Sequence, residues 1–225
     1  MLLVLGVVEL YRAGLVRFNY PDRERFPVWG IDVSHHQGEI DWPAVKQSGL
    51  AFAFIKATEG ATHADTRFVE NWKGAGEAGL ARGAYHFFTF CMDGEAQAEN
   101  FLRVAPRDAE LPPAVDVEFS GNCKGWESAE AIRAELEVFL ARVEAGLGRK
   151  ATVYFTREAA RKILEGRIHG HPRWPRSIFG EPDDAWTFWQ YADNARLAGI
   201  RGAVDLDLFR GSRADFDVVV REPAR

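Results

Sequence analysis

The chain has 225 residues, 47% hydrophobic and 12% aromatic, enough apolar material for one full core, and α/β barrels of this length form a single domain. Its formal charge of -5 excludes a general affinity for nucleic acid, whose phosphates require a basic face.

Residues 1–27 read as an N-terminal segment and linker. Met1-Leu2-Leu3-Val4-Leu5-Gly6-Val7-Val8 is an apolar run stopped by Glu9 and Arg12, far short of the ~20 residues of a membrane span. It lacks a basic leader and a small-residue cleavage site, so it reads either as the remnant of a membrane anchor or as a short packing segment. Pro21 and Pro27, set among charges, mark residues 17–27 as a linker. From residue 28 to 217, strand-length apolar runs at 28–33, 51–57, 83–88, 114–119 and 152–155 alternate with helical patterns. Asp41 caps the first helix, with Pro43 in its first turn; helical spacing follows at 66–78, 95–104 and 127–145. After Arg157 the pattern loosens: a helix to Glu165, a Gly/His/Pro-rich loop, then strand-like 177–179, 187–191 and 204–209 with little room for helices. Residues 218–225 read as a C-terminal tail. The expected fold is α/β: an irregular TIM-like β/α barrel with eight strands and fewer helices in its C-terminal part.

In such barrels reactive groups gather at the C-terminal ends of the strands. The fourth run ends in Asp116-Val117-Glu118. In a strand, positions i and i+2 project the same way with backbones roughly 6 to 7 Å apart, so the two carboxyls can reach one bond. Glycoside hydrolysis commonly uses such a pair, one protonated as acid and one ionised. A lone Asp-x-Glu is more often a solvated strand end. Here, however, Asp32 and Asp205 sit in equally apolar runs at the two extremes of the chain, and their joint placement points to one polar centre. The same residues allow two rival readings. Asp32, His35 and His36 offer three ligand-type side chains to a metal-dependent hydrolase, without a second His cluster to complete the site; alternatively, the barrel binds glycan without turnover. The basic stretch holding Arg161, Lys162, Arg167, Arg173 and Arg176 reads as a solvated helix and loop. Cys91 and Cys123 both follow predicted strands; a disulfide and two free thiols remain equal alternatives.

These residues resemble glycoside hydrolase family 25, the lysozymes that cleave the β-1,4 bond after N-acetylmuramic acid. The resemblance rests on Gly-Ile-Asp-Val-Ser-His-His-Gln-Gly at 30–38, Phe-Ile-Lys-Ala-Thr-Glu-Gly at 54–60 and Gly-Ala-Tyr-His-Phe-Phe at 83–88. It continues through Pro-Ala-Val-Asp-Val-Glu at 113–118, Trp-Gln-Tyr at 189–191 and Val-Asp-Leu-Asp-Leu-Phe at 204–209. It implies a wall-polysaccharide substrate, peptidoglycan glycan strands, and no metal or other cofactor. Glu118 would be the general acid and Asp116, Asp32 and Asp205 its acidic companions. Tyr85, Tyr154, Trp189 and Tyr191 would line the cleft, because flat aromatic faces pack on sugar rings, and Lys56 would meet substrate at the rim or pair with Glu59. Trp174-Pro175-Arg176-Ser177-Ile178 departs from the family's Trp-x-Ala-x-Tyr pattern. A periplasmic or extracellular monomer is expected.

Overall fold

The computed structural model describes residues 6, 9–11, 13–164, 170–183 and 185–221. Most of the expected anchor remnant therefore lies outside the described residues, as do Glu165 and Arg167. No helix among the described residues is long and apolar enough to cross a membrane.

One sheet organises the molecule. Strands β1 (Trp29–Val33), β2 (Phe52–Glu59), β4 (Ala81–Phe87), β5 (Ala114–Val117), β6 (Thr152–Phe155) and β7 (Arg173–Pro175) run parallel, in the spatial order β7-β6-β5-β4-β2-β1. A two-residue strand, β3 (His63–Ala64), folds back on β2. The last two strands, β8 (Phe188–Ala195) and β9 (Val204–Phe209), form an antiparallel pair, and β9 lies antiparallel on β1. A parallel bridge between Arg176 and Gln190, with Ser177 N–H donating to Gln190 O at 2.9 Å, joins β7 to β8 and nearly closes the barrel. The expected α/β barrel is thus present, with an antiparallel closing hairpin. The sixth parallel strand is β7 at 173–175, whereas 177–179 is irregular: Trp174 and Pro175 are the residues buried there, and Phe179 is 77% exposed.

Helices sheathe the parallel half. They are α1 (Trp42–Gln47), α2 (Phe68–Glu77), α3 (Gly94–Val104), α4 (Ala129–Leu147) and a single turn α5 (Arg157–Ala159) that widens into a π-helix over Ala160–Leu164. Asp41 accepts from Ala44 N–H at 3.1 Å, Asp93 from Ala96 N–H at 2.8 Å and Ser128 from Ala131 N–H at 3.1 Å, so three helices start on a side-chain cap. A terminal helix, α6 (Arg213–Arg221), runs past residue 217 into the stretch 218–221 that the sequence pattern assigned to a tail. It is held because Phe216 is buried against Phe52 and Phe209 at ring distances of 5.6 and 5.3 Å.

Period-two alternation separates two cores. Outward-facing Ile31, Ile55, Val115 and Val153 meet the helices, whereas Phe52, Phe54, Trp174, Phe188 and Phe209 fill the barrel interior. Two glycines make room inside: a Cβ on Gly30 would stand 2.3 Å from the Phe52 ring and one on Gly83 2.5 Å from Phe54. The described part of the N-terminal segment lies on β8, where Asn194 Nδ2 donates to Tyr11 O at 2.6 Å and Val16 O at 3.0 Å. Cys91 and Cys123 form a disulfide tying the loop after β4 to the loop after β5, which resolves the alternative left open by the sequence.

Candidate active site

At the C-terminal end of the barrel the inward positions change from apolar to polar. β1 and β9 place Asp32 directly opposite Asp205, so two carboxyls share one face at the distance of cross-strand neighbours, ~5 Å between Cβ atoms. Asp207, two residues on, points the same way and is fully buried. One of its oxygens accepts from Trp174 Nε1 at 2.7 Å; the other is buried without a hydrogen-bond partner, and burial pushes the carboxyl well above the usual carboxylate range. Gln190 on β8 connects the groups, donating Nε2 to Asp32 Oδ2 at 2.7 Å and accepting from Tyr154 O–H at 3.0 Å. Asp116 on β5 and Glu118 just beyond it follow as the i, i+2 pair. The turn after Glu118 is clamped by Asn122, whose Nδ2 donates to Glu118 O at 2.9 Å and Phe88 O at 2.8 Å.

Asp32, Asp116, Glu118, Tyr154, Trp174, Gln190 and Asp205 line a cavity of about 500 Å³, which also includes Lys56, Glu59, Tyr85, His35 and His36. A second cavity of about 480 Å³ adjoins it and shares Glu118, Tyr154, Gln190 and Asp205, so Glu118 stands at the junction of an elongated cleft.

Burial dominates the electrostatics. Desolvation first, then neighbouring carboxylates, push Asp32, Asp116 and Asp205 well above the usual carboxylate range. Glu118 is also raised by burial, while the charges of Arg176 and Lys56 pull it back. Asp116 Oδ1 is buried without a partner, which disfavours its ionised form until something with a donor or a positive charge occupies the cleft. The arrangement can therefore hold a proton on one carboxyl while offering negative charge on another.

The structure brings together Glu118, Asp116, Asp32, Asp205, Tyr85, Tyr154 and Lys56 of the residues singled out from sequence. Lys56 Nζ pairs with Glu59 Oε2 at 2.6 Å and sits 4.8 Å from the Phe87 ring. Trp189 and Tyr191 are not with them: both are buried on the outer face of β8, where Trp189 packs on Phe26 and Trp186, and Tyr191 lies edge-on to Trp29 at 5.2 Å. Gln190 between them faces the cleft instead. The metal reading also fails on geometry: His35 Nδ1 pairs with Asp65 Oδ2 at 2.8 Å, Asp32 is held by Gln190, and no three His, Cys, Asp or Glu side chains among the described residues are arranged to hold an ion. Sequence reading missed Trp174, which lines the cleft, and Asp207, buried behind it as acceptor of the Trp174 N–H; strict alternation from Asp205 would have placed Asp207 on the same face.

Comparison with known proteins agrees with this geometry. The model for glycosyl hydrolases family 25 matches residues 31–200. Lysozyme M1 of Streptomyces globisporus is 37% identical over 206 residues, 83% of this chain and 69% of that protein. The uncharacterized protein YegX of Escherichia coli K12 is 35% identical over 205 residues, 87% of this chain and 74% of that protein. The solved family 25 glycosyl hydrolase of Bacillus anthracis superposes with a TM-score of 0.83 at 36% identity, covering 90% of this chain and 97% of that one. On its barrel, its motifs and these relatives, the chain belongs to glycosyl hydrolases family 25.

Proposed function

We propose that the chain is a lysozyme-type glycosidase that cleaves the β-1,4 bond between N-acetylmuramic acid and N-acetylglucosamine in peptidoglycan, acting as a monomer outside the cytoplasm. The observation that carries the reading is Glu118, held at the junction of two cavities beside Asp116, Asp32 and Asp205 in a barrel of this family. Glu118 protonates the leaving oxygen, its proton retained by burial. Asp116 stabilises the positive charge that develops on the sugar, either by attacking the anomeric carbon or by orienting the substrate's acetamido group to attack. Asp32 and Asp205 bias Asp116 through charge repulsion and bind sugar hydroxyls. Tyr85 and Tyr154 present ring faces and hydroxyls to the glycan, and Lys56 counters the negative charge of the cleft.

The test is mass spectrometry of borohydride-reduced products from purified peptidoglycan incubated with wild type and with Glu118→Gln. Fragments ending in reduced N-acetylmuramic acid, released by wild type alone, are expected. Reduced N-acetylglucosamine ends would reassign the bond, and no fragments at all would leave a glycan-binding barrel.

A further inference from the structure

Beyond the second cavity lies a third of about 380 Å³, entered past Arg157 and Arg176, which line both. Its charge is unlike that of the catalytic cleft. Among the described residues, four arginines, Arg157, Arg161, Arg173 and Arg176, line it with two acids, Glu181 and Asp183. Glu181 is already engaged by Arg25 at 2.8 Å. Arg176 pairs with Asp193 through one amino group and lines both cavities. Phe155, Pro175 and Pro182 supply apolar wall, and the volume suits an extended group better than a single ion. Guanidinium forks match planar carboxylates in two-point contact, which lysines do not.

Arg176 also stands at the alanine of the Trp-x-Ala-x-Tyr pattern, so the charge at this wall distinguishes the chain from the general motif. We propose that this arginine-lined chamber receives the carboxylate-bearing arm of the muramoyl sugar bound at Glu118, making the enzyme selective for glycan strands that carry that charge. The inference rests on the muramidase reading above. The arm's carboxylate comes either from the lactyl group itself or from the peptide attached to it, and the chamber's extent and apolar walls favour the peptide.

Three soluble glycan substrates of equal length separate the cases: muramoyl arms carrying a stem peptide with free carboxylates, arms ending in the lactyl carboxylate, and arms capped as the neutral N-methylamide. kcat/KM is measured on each for wild type, Arg157→Glu and Arg161→Ser, both arginines being exposed and remote from the core. Wild type is expected to favour the peptide-bearing strand over the amide by about tenfold, the scale of one charge-assisted contact, and Arg157→Glu to bring that ratio to about one. If the chamber is shaped for the peptide, Arg161→Ser lowers the ratio part-way; a preference for the bare lactyl carboxylate, lost in Arg157→Glu, supports the chamber and assigns the charge to the lactyl arm. Equal wild-type efficiency on all three, or a preference undiminished in both variants, overturns the inference while leaving the muramidase reading intact. Failure of wild type to cleave any of them overturns both.

Discussion

The two ends of the barrel interior are built by the same alternation and serve opposite purposes. At the base, Phe52, Phe188, Phe209 and Phe216 interlock as an aromatic plug, with ring centroids 5.3 to 5.6 Å apart. At the rim, β8 and β9 present Gln190 and Asp205 inward, and β1 beside them presents Asp32. Burial stabilises the first set and destabilises the second, since a buried carboxyl without full hydrogen bonding costs free energy that an apolar ring does not. The base stabilises the fold that holds the rim in a state it would not adopt alone.

Substitutions at the two ends should therefore diverge. Glu118→Gln should fold normally and lose about 10²- to 10⁴-fold in kcat, the usual contribution of a general acid; turnover within a few-fold of wild type would remove Glu118 from the mechanism. Phe54→Ala, which empties the layer between plug and rim where the ring stacks on Trp174 at 4.4 Å, should cost about 3–5 kcal/mol of stability, read by denaturant unfolding. Asp205→Asn should do the reverse: activity falls, while stability at pH 7 rises by about 1 kcal/mol, because the folded-state pKa is raised and the aspartate's stabilising effect, complete below its ordinary 3.8, is lost as pH rises through the folded value. An unchanged or lowered Tm would mean the acid cluster is not strained.

Two smaller effects sharpen the contrast through pH. His86, fully buried between Thr58 Oγ1 at 2.7 Å and Gln97 Oε1 at 3.2 Å, is lowered by burial to about 3. Its contribution to stability is full above its ordinary 6.5 and is lost as pH falls from there toward 3, at up to about 1.4 kcal/mol per pH unit; His86→Gln should flatten that slope. On the catalytic side, kcat/KM should fall as pH rises through the elevated Glu118 value. Arg176→Met removes a charge that pulls this value down, so the alkaline limb should move to higher pH.

Much of the rim was legible because charge inside an apolar run is rare: Asp32, Asp116 and Asp205 each interrupt such a run, and Glu118 follows Asp116 by two. The side to which Trp189 and Tyr191 turn was not legible. Residues 188–191 are buried on both faces, so the sequence shows no polar alternation, and an aromatic side chain suits either side. The strand at 173–175 was hidden because three residues, one of them proline, carry little pattern, while apolar 178 and 179 drew the assignment onward. Helix α6 was missed because its Val218-Val219-Val220 run favours a strand over a helix, and its burial depends in part on Phe52, far away in sequence.

The carboxyl pair Asp32–Asp205 joins the first strand of the barrel to the last. A chain still being synthesised therefore holds only part of its cutting edge, and Asp32 sits beside an open seam until β9 has been made and docked. Fragments ending before residue 204 would lack Asp205, Asp207 and half of the aromatic plug, Phe209 and Phe216, so the capacity to cut a cell wall arises only once β9 has docked on β1.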